Sequence, residues 1–457
     1  MVRITKRHNL SETGAAIRQV SYAYGQEGET LGVSGSVEPV TYTYDGQYRL
    51  ATLTDGNGVT TTYTHSADPE SLLTKIAYSD GRTPDVTFTY DGYGRRYNMF
   101  DGTGRTAYYY DDNDAVTSSK ELWTPIGSIA PKALFYAYYL NGSRKSMSVL
   151  GGMTFSYVYD NDGRMTQETN PNGEVSSWAY KENSWLASQT LGNGAKTSYT
   201  YNKRGQVIDQ KTTNSDGITL INEFNSPSTG AFDGAGDRTQ VVVSGLPSGY
   251  GGTTSYAYDQ RGQLTNESST RPNFGAARTY QYDGVMGGTS TGPGNTTLFN
   301  GASRTYNADN QTTSNTYDGN GNPTTYQGTA LTFDAESRML TSGTAQTNGY
   351  TGDGLRAWKQ QGSSRTSRTY FLRDGLNPVF EYNSSGALTA TNTWGANGLL
   401  SRRVGITSTF YRRGPHISVR WRDGWHEHGA GQHNGAVYQQ RPHQLPGWGQ
   451  PVRVHGE

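Results

Sequence analysis

The chain has 457 residues, with 39 basic and 39 acidic residues and no cysteine. Zero net charge gives no field that would attract nucleic acid or anionic lipid, and the lack of cysteine excludes disulfides and thiolate chemistry. No stretch approaches the roughly 20 apolar residues of a membrane span, whereas the 59 glycines and 34 tyrosines predict a thin β structure rich in tight turns and amphipathic rings.

Residues 1–40 contain few motifs, and we interpret them as an irregular N-terminal segment or a degenerate repeat. Residues 1–20 are basic but lack a following apolar segment, so we expect no signal peptide. The regular pattern begins at residues 42–50, Tyr-Thr-Tyr-Asp-Gly-Gln-Tyr-Arg-Leu, and a second turn signal follows at residues 54–60, Thr-Asp-Gly-Asn-Gly-Val-Thr. Alternation with period 2 on both sides of each glycine-bearing segment predicts strands joined by hairpin turns.

The clearest repeat lies near the middle of the chain. Residues 159–165 read Tyr-Asp-Asn-Asp-Gly-Arg-Met, residues 180–186 read Tyr-Lys-Glu-Asn-Ser-Trp-Leu, and residues 201–207 read Tyr-Asn-Lys-Arg-Gly-Gln-Val, so the copies start 21 residues apart. A second turn signal stands about half a period after each of the first two. Related units continue at residues 256–264, 317–322, 333–339 and 350–356. The fixed period predicts a repeat protein, with an all-β fold: a repetitive antiparallel β-hairpin ribbon over residues 41–404.

The composition changes abruptly at about residue 412. Residues 412–457 hold six of the eight histidines and three of the eight tryptophans, and they contain no threonine or lysine. Either a reading-frame slip near residues 405–413 or a short swapped-in tail would explain the change. Because so short a segment of this composition can bury little core, we expect residues 405–457 to be an aberrant and poorly ordered tail.

The consensus Tyr-Asp-x-x-Gly-Arg-Leu, with its Asp-x-x-Gly echo about ten residues later, resembles the YD repeat of the Rhs family. That family includes bacterial polymorphic-toxin shells, the B and C components of insecticidal toxin complexes, wall-associated proteins and animal teneurins. The resemblance covers roughly residues 42–382 and rests on some dozen copies. It implies a ribbon that spirals into a hollow shell, here a partial one, which encloses a toxic polypeptide in the bacterial members. No cofactor is implied.

The residues of the repeat signature suit the construction of hairpins. Tyrosine can stack across strands, aspartate can cap the turn by accepting backbone N–H bonds, and glycine can take a positive φ. Arginine can return over the tyrosine ring or pair with a neighbouring aspartate. Strand pairing between successive turns of the spiral would protect the sheet edges. We assign these structural roles to Tyr44, Asp45, Tyr90, Asp91, Tyr159, Asp160, Gly163, Arg164, Tyr201, Gly205, Tyr258, Asp259, Gly262, Tyr317, Asp318 and Gly321.

The chain departs from the family pattern in two ways. The family's core motif of the Asp-Pro-x-Gly type, which precedes a variable toxin and in many members a self-cleavage, has no match near the C-terminus. Complete shells also use considerably more repeats. We therefore expect the chain to be a fragment, truncated at its C-terminus or at both ends.

Few residues are candidates for catalysis or metal binding. Residues 288–292, Gly-Thr-Ser-Thr-Gly, match the nucleophile-elbow pattern but lack its strand, helix and triad context, and we assign no catalytic residue. Residues 111–114 and 160–163 resemble parts of calcium loops without the bidentate glutamate, so turn capping is the preferred interpretation. His426, Glu427, His428 and His433 match no closed zinc site. We predict no metal site.

The leading hypothesis is a non-enzymatic structural protein: a partial Rhs-type shell that encloses or presents a C-terminal toxin in bacterial competition or toxin delivery. Its partners would be that cargo or the remaining shell segments, and its location would be secreted or at the bacterial cell surface. The alternative is an extracellular adhesin whose aromatic residues, such as Trp178 and Trp185, bind a cell-surface glycan, although repeat core is the preferred interpretation of these rings. A non-functional remnant is a third possibility.

Overall fold

A computed structural model of the protein describes residues 6–10, 16–25, 29–34, 39–113, 115–123, 129–226, 230–245, 251–272, 274–282, 296–299, 301–307 and 311–411. Within these ranges the chain consists of short β-strands and turns without an α-helix, and a single 3-10 turn spans Arg365–Ser367. The strands fall into two runs, each of which forms one sheet.

The first sheet has 26 strands. They are β1 Lys6–Leu10, β2 Ala16–Tyr24, β3 Thr30–Ser34, β4 Val40–Tyr44, β5 Leu50–Thr54, β6 Thr60–His65, β7 Leu73–Tyr78, β8 Val86–Tyr90, β9 Arg96–Asp101, β10 Gly104–Tyr110, β11 Val116–Trp123, β12 Lys132–Tyr138, β13 Arg144–Val149, β14 Thr154–Tyr159, β15 Met165–Thr169, β16 Val175–Tyr180, β17 Leu186–Thr190, β18 Lys196–Tyr201, β19 Val207–Thr213, β20 Leu220–Asn225, β21 Gln240–Ser244, β22 Gly252–Tyr258, β23 Leu264–Ser269, β24 Arg278–Tyr282, β25 Thr296–Phe299 and β26 Ala302–Ser303.

The second sheet has ten strands. They are β27 Thr325–Tyr326, β28 Thr329–Phe333, β29 Met339–Ser342, β30 Gln346–Tyr350, β31 Arg356–Gln361, β32 Arg368–Asp374, β33 Asn377–Asn383, β34 Leu388–Gly395, β35 Gly398–Val404 and β36 Thr407–Phe410.

Each strand pairs antiparallel with the next strand along the chain, from β1 to β26 and again from β27 to β36. The 21-residue period is visible in this order, since β14, β16 and β18 begin at Thr154, Val175 and Lys196. Pairing between neighbouring strands is favoured because closing the short turn between them costs little chain entropy. The predicted all-β ribbon of antiparallel hairpins is confirmed.

A one-residue register shift recurs at the tyrosine end of the hairpins. In β14 and β15, Val158 pairs with Gln167 but the next residue, Tyr159, pairs with Met165, so Thr166 is the extra residue of a β-bulge. The same shift occurs at Tyr180 and at ten or more other hairpins along the ribbon. Bulges increase the local twist of a sheet, so a bulge in about every second pair of strands favours a ribbon that coils.

The two sheets lie against one another over part of their length. Side chains of β12–β14, among them Leu134 and Phe155, form one buried cluster with side chains of β31–β33, among them Leu372 and Phe380. The Phe155 and Phe380 rings lie 5.8 Å apart in an edge-on arrangement. Burying each such side chain contributes roughly 1.5–3 kcal/mol, so this cluster is the main apolar core of the described chain.

The contacts between the two turns of the ribbon run in the same direction along both, so that later residues of one contact later residues of the other. Asn57 contacts Gly319, Asp101 contacts Gly352, and Asn170 contacts Thr393. The ribbon therefore coils so that residues 55–192 lie beside residues 318–410, and we call this line of contact the seam. We expected strand pairing between successive turns of the spiral. Among the described strands that expectation is wrong, because all pairing is between chain neighbours and the seam is made by turns and side chains.

The ends of the ribbon differ in how much of them is described. Within residues 1–40, β1, β2 and β3 pair in order and continue into β4. At the other end β35 pairs with β36, which ends at Phe410. The predicted boundary at residue 404 thus lies inside the β35–β36 hairpin, and residues 412–457 lie outside the described residues.

Candidate functional site

The repeat turn is built by its aspartate. In the unit that follows Tyr159, Asp160 Oδ1 accepts hydrogen bonds from the backbone N–H groups of Asp162, at 3.0 Å, and Arg164, at 2.9 Å. Asp160 Oδ2 accepts from Arg164 Nε at 2.7 Å. Gly163, at φ +76°, donates its N–H to the Asp160 carbonyl at 3.0 Å. The Asp160 carboxylate thereby accepts hydrogen bonds from two backbone N–H groups and one guanidinium N–H. The two backbone groups lie in a turn, where no neighbouring strand can pair with them.

The other signature residues occupy equivalent positions. Tyrosines 44, 90, 201 and 258 are the last residues of β4, β8, β18 and β22, and Tyr317 forms a single bridge with Pro323. Asp45, Asp91, Asp259 and Asp318 each cap the following turn through Oδ1. Glycines 205, 262 and 321 have φ between +76° and +81°. The hydrogen bond from the Arg49 N–H is the largest cause that lowers the pKa of Asp45 to about 2.

Arginine and tyrosine connect one repeat to the next. The Arg164 guanidinium lies 4.9 Å from the centroid of the Tyr180 ring, which belongs to the following unit. The Tyr180 hydroxyl donates to the Met165 carbonyl at 2.8 Å. Met165 stands next to the bulged residue Thr166 on β15, where the regular ladder is interrupted. Each unit therefore completes the hydrogen bonding of the unit before it, and the signature side chains are used in building the ribbon.

Two identical turns meet at the N-terminal part of the seam. Residues 55–58 and 318–321 both read Asp-Gly-Asn-Gly. The Gly319 N–H donates to Asn57 Oδ1 at 2.7 Å, and Asn320 Nδ2 donates to Asp55 Oδ2 at 2.7 Å. A Cβ on Gly56 would lie 2.0 Å from the Gly319 carbonyl oxygen, and a Cβ on Gly319 would lie 2.1 Å from the Gly56 carbonyl oxygen. The two backbones approach so closely that neither position has room for a side chain.

Farther along the seam, the contacts of the β30–β31 hairpin include a hydrogen bond, an ion pair and an apolar contact. Asp101 Oδ2 accepts from the Gly352 N–H at 2.6 Å, and Arg96 pairs with Asp353 at 2.7 Å. A Cβ on Gly352 would lie 2.5 Å from a methyl group of Val86. These contacts hold the tip of the β30–β31 hairpin against β8 and β9.

The C-terminal part of the seam closes over β15–β18. Trp178, Leu191 and Leu400 form a buried cluster, and Phe410 packs against it. A Cβ on Gly395 would lie 2.5 Å from the Trp178 ring. Because these contacts involve the β34–β35 turn and β35–β36, they fix the last hairpins of the described chain to the earlier turn of the ribbon.

A cavity of about 360 Å³ lies where the two turns of the ribbon overlap. Its lining combines the rings of Tyr138, Phe155, Tyr157, Tyr159 and Trp394, the thioethers of Met147 and Met165, and the polar groups of Arg144, Asp374 and Asn377. Arg144 and Asp374 form an ion pair across the seam. The cavity lining therefore combines aromatic and polar surface, and its two charged groups neutralise each other.

Glu168 on β15 is an unusual buried carboxyl group. Its exposed fraction is 0%, and neither carboxylate oxygen has a hydrogen-bond partner among the described residues. Burial, and to a lesser degree the carboxylate of Glu174, raise the pKa of Glu168 to about 8. The nearby Trp178 Nε1 is also buried without an acceptor among the described residues. Glu168 takes no part in the repeat turns.

The remaining sequence candidates are placed as follows. Residues 288–292 and the histidines of residues 412–457 lie outside the described residues. Asp111 Oδ1 accepts from the N–H groups of Asn113 and Ala115, at 2.9 and 3.0 Å, as in the repeat turns. Trp178 is buried core, and Trp185 lies 5.0 Å from the Tyr201 ring, measured between centroids. The described ranges contain no cluster of three or more acidic or histidine side chains placed to hold a metal ion. They also contain no apolar helix of membrane-spanning length.

Sequence reasoning missed Glu168, the Arg144–Asp374 pair and the contact of Gly56 with Gly319. One signal for the last of these was present, because the tetrapeptide Asp-Gly-Asn-Gly occurs twice. For Glu168 and the ion pair no comparable signal exists, since both depend on which faces of the ribbon meet.

A coiled ribbon of sequentially paired antiparallel hairpins is the class of fold that this chain adopts, and solved toxin-complex structures share it. The Tc holotoxin pore of Photorhabdus luminescens, solved with a mutated TccC3, matches with a TM-score of 0.58 and 15% identity, over 87% of this chain and 23% of that one. The TcdB2-TccC3-TEV structure matches with a TM-score of 0.56 and 13% identity, over 91% and 27%. TcdB2-TccC3 without its hypervariable C-terminal region matches with a TM-score of 0.57 and 14% identity, over 84% and 22%.

The chain thus spans about a quarter of the length of these structural neighbours. At such low identity the likeness concerns the fold. No protein-family model matches the sequence, and no curated protein matches it.

Proposed function

We propose that this chain is a non-enzymatic wall segment of an Rhs-type shell, which encloses a toxic polypeptide in a secreted bacterial toxin-delivery system. The observation that carries the proposal is the ordered seam. As the chain advances from Asn57 to Asn170, its partner advances from Gly319 to Thr393. A ribbon that returns beside itself in register makes a continuous wall, whereas a flat sheet leaves two open margins.

The wall acts by containment. Backbone groups within the ribbon are satisfied by neighbouring strands and by the aspartate-capped turns, as at Asp160. Turns of ribbon are held together by turn atoms and side chains, as at Gly56 and Gly319. The side chains of the signature residues form the hydrogen bonds and ring contacts of the ribbon itself, which supports a structural role over a catalytic one.

The comparisons support the same proposal at the level of fold. The neighbours are toxin-complex structures, and the chain matches about a quarter of their length. We infer that further ribbon supplies the rest of the wall, and that the partners of this segment are those ribbon segments and the enclosed polypeptide.

The test begins with the gene beyond the codon for Tyr411, read in all three frames and expressed as its longest product. We expect a polypeptide downstream of the ribbon to resist protease while the wall is folded and to be digested once denaturant opens the wall. A downstream polypeptide that is digested equally fast before and after the wall unfolds would contradict containment.

Carbohydrate binding at the cell surface is the second candidate function, and the cavity at the seam supports it. Tyr159 and Trp394 offer aromatic surface for the apolar face of a sugar ring. Asp374 and Asn377 offer planar polar groups for its hydroxyls. Since the Asp374 charge is balanced by Arg144, an uncharged sugar fits the cavity better than an ionic one.

A glycan array followed by titration on tryptophan fluorescence tests this second function. We expect Asn377→Ala to weaken binding by about tenfold, the worth of one hydrogen bond to a neutral group. Asn172→Ala, on an exposed turn, should leave binding unchanged. A uniformly negative array refutes carbohydrate binding and leaves containment standing.

A further inference from the structure

We propose that Glu168 is a proton-operated latch for the C-terminal part of the seam. While its carboxyl group is protonated, the hairpins β33–β36 stay packed on β15–β18, and loss of the proton releases them. This inference rests on the geometry around one side chain, and it holds whether or not the wall encloses a cargo.

Glu168 stands on β15, between Tyr157 of β14 and Trp178 of β16, two residues whose side chains pack against the second turn of the ribbon. It pairs in register with Ser176 on β16 and with Tyr157 on β14. All three side chains are buried, and Glu168 has no exposed surface. A protonated carboxyl group tolerates such a site because it carries no charge, whereas a carboxylate without a partner in a buried site is strongly disfavoured.

The contacts beside Glu168 are those that hold the last hairpins. Asn170, two residues along the chain, donates through Nδ2 to Thr393 Oγ1 at 3.2 Å. Trp178, two residues beyond the register partner of Glu168, packs against the backbone at Gly395. A carboxylate formed at Glu168 can regain water only if these contacts separate.

The charged and titratable neighbours give an ionised Glu168 no compensation. Tyr157 faces it from β14, and Glu174 faces it from the β15–β16 turn. Arg144 on β13 interacts with Tyr157 and is paired with Asp374, and Arg403 on β35 pairs with Glu174 at 3.7 Å. Ionisation would therefore place a second carboxylate near Glu174. The two carboxylates would then compete for Arg403, which pairs across the seam.

The direction of the pH effect follows from proton binding. Burial raises the pKa of Glu168 from 4.5 to about 8 in the closed state, and exposure to water in the open state returns it to its ordinary value. The closed state therefore holds a proton that the open state releases. Between about pH 4.5 and pH 8, the ratio of open to closed seam rises about tenfold per pH unit, and above pH 8 it levels off.

Amide hydrogen exchange between pH 5 and pH 7 measures this ratio directly. Intrinsic exchange already accelerates about tenfold per pH unit, and exchange through reversible opening multiplies it by the open fraction. We expect amides of β34–β36 to accelerate about a hundredfold per pH unit in the natural chain. Amides of β28–β30, which lie away from Glu168, should accelerate only tenfold.

Glu168→Gln removes the titration while preserving shape, so β34–β36 should return to the tenfold dependence. Glu182→Gln, on an exposed turn of the same repeats, should keep the hundredfold dependence. A tenfold dependence in the natural chain overturns the latch, and this result needs no variant to fold. A hundredfold dependence that persists in Glu168→Gln overturns it equally, because another group would then release the proton.

Discussion

Replacing Gly56 by alanine tests the close approach of the two Asp-Gly-Asn-Gly turns. The added Cβ would lie 2.0 Å from the carbonyl oxygen of Gly319, and a backbone atom in a capped turn cannot yield as a flexible side chain can. Overfilling a packed contact costs about 1–3 kcal/mol. Because the hydrogen bonds that join the turns would lengthen as well, we expect a loss of about 2 kcal/mol in the free energy of unfolding.

Denaturant unfolding followed by tryptophan fluorescence measures the loss, and the chain offers a matched control. Gly46 holds the equivalent position in another aspartate-capped turn, and a Cβ there would meet nothing within 4 Å. We expect Gly46→Ala to change stability by less than about 0.5 kcal/mol.

A double variant makes the prediction sharper. Once Gly56→Ala has separated the turns, Gly319→Ala should add little, so the two losses should fall well short of additive. Additive losses, or a Gly46→Ala loss as large as that of Gly56→Ala, would show that backbone preference in the turn, not contact across the seam, sets the cost.

Two further variants test the turn and the core by the same unfolding measurement. Asp334 Oδ2 binds the buried Arg338 guanidinium at 2.6 Å, so Asp334→Ala leaves that charge unpaired and should lower the free energy of unfolding by about 3–5 kcal/mol. The same change at Asp160, whose turn is more exposed, should cost clearly less. Equal losses would refute the role of burial. Phe380→Ala empties the main core, where the ring has 0% exposure, and should cost about 3–5 kcal/mol. Phe135→Ala, at 41% exposure, should cost much less, and a comparable loss there would place the core elsewhere.

Local features of the chain were predictable because they depend on neighbours in sequence. The 21-residue spacing of Tyr159, Tyr180 and Tyr201 predicted hairpins, since a short turn leaves each strand only its neighbour as an inexpensive partner. The turn capping by Asp160 and its pairing with Arg164 concern atoms within four residues of one another. Such geometry is set by turn chemistry and needs no knowledge of the rest of the fold.

The sequence by itself therefore determined the β-hairpin ribbon and the residue types that build it. Only the tertiary structure decided where the ribbon meets itself. Gly46 and Gly56 follow an aspartate in the same way, yet only Gly56 lies against another backbone. Glu168 stands in a strand of polar residues that local alternation cannot assign to the core, and it is buried because a second turn of ribbon covers that face. Contacts between residues more than 200 positions apart depend on the accumulated twist of many hairpins, which no single repeat encodes.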